Sequence, residues 1–162
     1  MALSLLEKMA AEIKTRLEEI DGMAPYTWAV KSVQRYKHTL DGREHRLPTL
    51  TDLPTIRMAV IAVDKEGLGP DVELGTWKVT ATVEIELFLP QLEGGLDDDD
   101  FSAAVADLER AIYVLPWNGL GIGAVPLGTR NARFDLETGV PVDGVRLTAS
   151  FQYRQDFQDP TI

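Results

Sequence analysis

The sequence predicts an α+β domain with the element order α-β-β-β-α-β-β, in which two helices pack on one face of a mainly antiparallel sheet. Three observations lead there. Apolar residues recur at helical spacing in two separate stretches. Residues 77–89 alternate, with Trp77, Val79, Ala81, Val83, Ile85, Leu87 and Leu89 all apolar and Phe88 the one apolar residue among those between them. Residues 145–154 alternate in the same way, as half-buried antiparallel strands do.

Leu6, Met9, Ala10, Ile13, Leu17 and Ile20 fall on one helical face, so the first helix ends at Asp21 and Gly22. After a loop punctuated by Pro25, residues 28–37 are rich in β-formers and read as a strand. Residues 38–54 are polar and proline-bearing, hence a loop. Residues 55–64 are apolar nearly throughout, which predicts a strand covered on both faces. A Gly-Pro turn over 66–75 precedes the strand at 77–89.

Thirteen residues of strand span about 43 Å, against a diameter near ~40 Å for a domain of this length. The strand therefore crosses the whole domain, curls within it, or ends as a projecting hairpin arm together with the strand before it. Gly94 and Gly95 then break the chain. Phe101, Ala104, Val105, Leu108, Ile112 and Leu115 form the second helical stripe, with the aspartates at 97–100 placed to cap its first turn. A glycine-rich loop over 119–128, a strand over 130–136, a turn at 137–139 and the last alternating strand complete the chain. Residues 1–157 read as one domain, and 158–162 as a short tail.

The chain has 162 residues and a formal net charge of 16 − 26 = −10. Its acidity is concentrated: residues 58–109 carry 2 − 13 = −11, whereas residues 22–57 carry 6 − 3 = +3. Such a block repels phosphates and argues against sequence-specific DNA binding. The basic stretch with Lys31, Arg35, Lys37, Arg43 and Arg46 is either a solvated loop or a contact for an acidic surface. Nothing approaches the roughly 20 apolar residues of a membrane span, and the N-terminal stretch has no signal-peptide pattern, so an intracellular protein is expected.

Candidate chemistry is sparse. Zero cysteines exclude disulfides, thiolate metal sites and cysteine nucleophiles. No GxSxG elbow surrounds any serine. His38 and His45 stand seven apart in a polar loop, which is not a metalloprotease spacing. The glycines at 119, 121 and 123 follow a helix rather than a strand, so they do not form a dinucleotide fingerprint. The four aspartates lack EF-hand spacing. Glu84 and Glu86 share one strand face, as a general acid/base pair would, or as a solvated or subunit-facing edge would. No catalytic residue, cofactor or metal is expected.

The long WKVTATVEIELFLP strand, the helix DFSAAVADLERAIYVLP, the following glycine loop and turn, and the closing VRLTASFQYRQDF strand, taken with the N-terminal helix, resemble the tail terminator (tail completion) proteins of tailed phages. The resemblance covers most of the chain. It implies a non-enzymatic protein of the virion tail, assembled in the host cytoplasm as a ring, commonly a hexamer. Such a ring caps the tail tube, stops its polymerisation and meets the head connector, while DNA passes through without specific binding. It also implies subunit or tube contacts through the polar faces of the long hairpin and the last strand (Lys78, Glu84, Glu86, Arg146, Arg154) and through the loop carrying Arg43 and Arg46. The acidic block would then suit a channel lumen. On this reading, Glu84→Lys with Glu86→Lys leaves the fold intact and alters assembly. A head-tail connector, or a small α+β binding domain or enzyme using Glu84, Glu86 or the 119–128 loop, is the alternative.

Overall fold

The structure is a computed structural model describing residues 3–36, 47–67, 75–114 and 123–156. Within these residues, two helices and five strands follow the order α-β-β-β-α-β-β. Helix α1 (Leu5–Glu18) starts where the Ser4 hydroxyl accepts the Glu7 backbone N–H at 3.2 Å. It buries Met9, Ala10, Ile13 and Leu17, the predicted stripe, and ends short of Asp21. Helix α2 (Asp98–Tyr113) opens with a reciprocal capping box: Asp97 accepts from the Asp100 N–H at 2.8 Å, and Asp100 accepts from the Asp97 N–H at 2.9 Å. The aspartates are thus cap residues, as their placement at the positive end of the helix dipole predicts.

Strands β1 (Ser32–Tyr36), β2 (Thr55–Gly67), β3 (Thr76–Phe88), β4 (Gly123–Asp135) and β5 (Pro141–Asp156) form one sheet in the order β1-β2-β3-β5-β4. All pairs are antiparallel except β1 with β2, which run parallel. The alternation of β3 and β5 divides the sheet cleanly. Val79, Ala81, Val83, Ile85 and Leu87 join Val145, Leu147, Ala149, Phe151 and Tyr153 in one core with the apolar faces of α1 and α2. Both helices therefore lie on that face. The opposite face holds a small second cluster at one end, Leu53, Phe88, Phe134, Leu136 and Val142, with Phe88 and Phe134 stacked at 4.5 Å.

Three expected elements are corrected. The strand expected over 28–37 begins only at Ser32, because the backbone N–H groups of Thr27 and Trp28 donate to the Asp107 carboxylate on α2 instead of to a strand ladder. The strand expected to be covered on both faces is buried only from Thr55 to Ala59; residues 61–67 are exposed. Among the described residues β1 accompanies β2 only as far as Ala59, and a bulge between Val60 and Ala62 follows. Third, the predicted glycine loop over 119–128 gives way at Gly123 to β4, which pairs with β5 through a bulge between Pro126 and Gly128. Residues 119–122, the tip of the 66–75 turn at 68–74, the histidines, and the tail at 158–162 lie outside the described residues.

The β2–β3 hairpin is not a free two-stranded arm, since β5 pairs along all of β3 up to Asp156 opposite Thr76. No helix among the described residues is long and apolar enough to cross a membrane. Arg16 joins the two helices: it is held by Glu12 at 3.0 Å and donates to the Ala111 carbonyl at 3.3 Å and to that of Val114, two orphan acceptors at the end of α2.

Tyr113, the last residue of α2, keeps a buried hydroxyl with no hydrogen-bond partner among the described residues. Burial first, and the Glu109 carboxylate second, push its phenol up to about 12. A raised phenol binds its proton more tightly in the folded state, so stability is full below pH 10 and falls as pH rises towards 12. Tyr113→Phe is expected to add about 1 kcal/mol at pH 7 by removing an unsatisfied group, and to flatten the alkaline loss. The slope that remains belongs to Tyr26 and Tyr153, also raised by burial. Urea midpoints at pH 7 and pH 11 check both effects; an unchanged alkaline slope would refute the assignment.

Candidate functional site

The period-2 geometry of β3 and β5 places every described member of the predicted contact set on the helix-free face. Glu86 stands opposite Arg146, Glu84 opposite Thr148, and Lys78 opposite Arg154. Arg43 and Arg46 lie outside the described residues.

These residues form two groups. In the first, the Arg146 guanidinium donates to Glu86 at 3.0 Å, and its Nε lies 3.6 Å from Glu84, a charge contact without a hydrogen bond. The same guanidinium lies over the Phe134 ring, 5.4 Å from its centroid. Arg57 on β2 extends the row opposite Glu86, and Arg130 on β4 extends it opposite Arg146. In the second group, Lys78 faces Arg154 and, on its other side, Glu66 of β2; Lys78, Arg154 and Glu66 are all exposed. Thr80, Thr82, Thr148, Ser150 and Gln152 form a neutral band between the groups.

Glu84 and Glu86 are thus partners of one arginine and not a separated acid/base pair. They do not line the hollows of about 350 to 400 Å³ formed by described residues beside the Pro90 loop, between α1 and β1, and between α2 and β4. Among the described residues no group of three or more acidic or histidine side chains is placed to hold a metal ion.

This geometry attaches a stability cost to placing lysines at both glutamates. With 18% and 30% exposure, the two carboxylates are largely desolvated against Arg146. Two ammonium groups there would face Arg146 and the buried Arg57. Glu84→Lys with Glu86→Lys is expected to cost about 2 kcal/mol, with the cost shrinking in high salt because the site is partly wet. Equal urea midpoints for variant and parent at low salt would sink this.

The described part of the acidic block does not form a single surface. Asp64 and Glu66 sit on the outer half of β2, Glu84 and Glu86 share the one guanidinium of Arg146, Asp97 and Asp100 cap α2, and Asp107 is buried. In the basic stretch, Arg35 is held by Glu7 of α1 at 3.1 Å, and Lys31 donates to the Thr51 carbonyl at 3.2 Å.

Two residues that organise the structure escaped the reading by motif, Asp107 and Gly144. For Asp107 the signal was present: it lies among Ala104, Leu108 and Ala111 on the buried stripe of the second helix. A carboxylate on a core stripe requires partners. No protein-family profile matches the chain, and no curated protein matches it.

Proposed function

We propose that this is a structural assembly protein of the tail-terminator kind, forming a ring that caps a tail tube, stops its growth and offers its other side to the head connector. What supports the reading is the element order, with 13-residue strands in the hairpin, that carries the sequence resemblance. Its partners on this reading are further copies of itself, the tail tube protein and the connector, and it functions in the virion tail after assembly in the host cytoplasm. DNA passes the ring without specific binding, in keeping with the net charge of −10. The polar sheet face, with Lys78 and Arg154 exposed and Glu84, Glu86 and Arg146 interlocked, is the surface offered to a tube or neighbour.

The test is direct. Folded protein added to polymerising tail tubes of the same particle should halt elongation at about one ring per tube. Tubes that lengthen unchanged in an excess of folded protein overturn the proposal.

A further inference from the structure

We infer that the two open edges of the sheet are the two halves of one interface: the outer half of β2 in one copy pairs with the outer edge of β4 in the next, so that the sheet runs on from subunit to subunit. This rests on the proposal that the chain assembles with itself, and it specifies how.

Among the described residues no strand lies beside β2 at 61–67, and β4 has a neighbour only in β5. Among the described residues neither edge has a ladder partner for its N–H and C=O groups, so each is a template for another strand. Four large apolar side chains are left exposed on these two strands: Ile61 (44%) and Val63 (40%) on β2, and Val125 (43%) and Leu127 (57%) on β4.

Strand direction and charge select the pairing. Counting directions across the sheet, β4 runs opposite to β2. A neighbour related by rotation about a ring axis therefore brings its β4 antiparallel to β2, with helices on the same side. On the helix-free face, Asp64 and Glu66 of β2 then meet Arg130 of the neighbour's β4. None of these three has a salt bridge within the described residues of its own subunit. The two-fold alternatives oppose like charges: β2 against β2 sets Asp64 and Glu66 against themselves, and β4 against β4 does the same to Arg130. A head-to-tail contact of unlike edges is also the kind that closes a ring.

Because the chain has no cysteine, cross-linking reports the contact without background. Val63→Cys and Asn131→Cys variants, both altered at exposed positions, are mixed and treated with a short bismaleimide that tolerates a two-residue slip in register. The expected product is a dimer from the mixture and from neither variant alone, and a ladder ending at the ring from the double variant. In parallel, Arg130→Glu should weaken association at least about tenfold, and Asp64→Lys with Glu66→Lys should restore it.

Rings seen by native mass spectrometry without the 63–131 cross-link, or with no response to the charge swap, overturn the edge pairing and leave the ring reading standing. Cross-linked rings that fail to cap tubes support the pairing and defeat the tail function. A monomer at every concentration, alone and with tube protein, overturns the pairing and identifies Asp64, Lys65 and Glu66 as charges that keep an edge from aggregating.

Discussion

Asp107→Ala is expected to lower stability by about 3 kcal/mol. The carboxylate is 3% exposed and accepts the Thr27 N–H with both oxygens at 3.1 Å and the Trp28 N–H at 2.8 Å. Hydrogen bonds to a charged acceptor are each worth about 1.5 kcal/mol or more, and alanine leaves both donors without that partner. The consequence reaches beyond the pair. Trp28 also donates its indole N–H to the Asp100 carbonyl at 3.2 Å, so the loop between α1 and β1 is fastened to α2 at two places about two turns apart. For a chain of this size the loss corresponds to a Tm lower by roughly 9 °C. Asp107→Asn keeps one acceptor oxygen but turns an NH₂ towards a donor, so it should recover no more than about half of the loss. A calorimetric Tm for the alanine variant within a degree of the parent would show that this carboxylate does not hold the loop.

Gly144→Ala is expected to cost at least about 3 kcal/mol and to sharply reduce the yield of folded protein. A Cβ at this position would lie 2.1 Å from the Leu87 carbonyl oxygen and 2.6 Å from Cε2 of Phe134. The Phe134 ring could turn aside only by giving up its stack on Phe88, and the Leu87 oxygen belongs to the backbone of β3 at the centre of the sheet. Overpacking against backbone is not relieved by a rotamer change. Gly123→Ala provides the control, since nothing lies within 4 Å of a Cβ there, and it should stay within about 0.5 kcal/mol of the parent. Equal urea midpoints for the two alanine variants would refute the close-packing account.

The strands at 77–89 and 145–154 and both helices were legible because each is amphipathic with the period of its own secondary structure, and one buried face suffices to define that period. That the candidate contact residues on β3 and β5 share one face was legible for the same reason: residues of equal parity in one strand share a face whatever the fold around them. Two things hid the rest. Strand β4 has only Phe134 buried among its 13 residues, so as an exposed edge it carries almost no alternation to detect. In β2 the apolar run continues past the last residue that the sheet covers, so composition alone overstates its burial.

The sequence by itself determined the α+β class, the element order, the capping of α2 by its aspartates and the division of β3 and β5 into a core face and a polar face. These depend on residues near one another in the chain. The tertiary structure alone decided that β1 lies parallel to β2, that Arg146 joins Glu84 and Glu86, that Asp107 receives the loop at Thr27 and Trp28, and that β2 at 61–67 and the outer side of β4 have no strand beside them among the described residues. Each of these depends on which segments become neighbours across separations from 23 residues (Ser32 to Thr55) to 80 (Thr27 to Asp107), or on where a neighbour stops, and local periodicity carries no record of either.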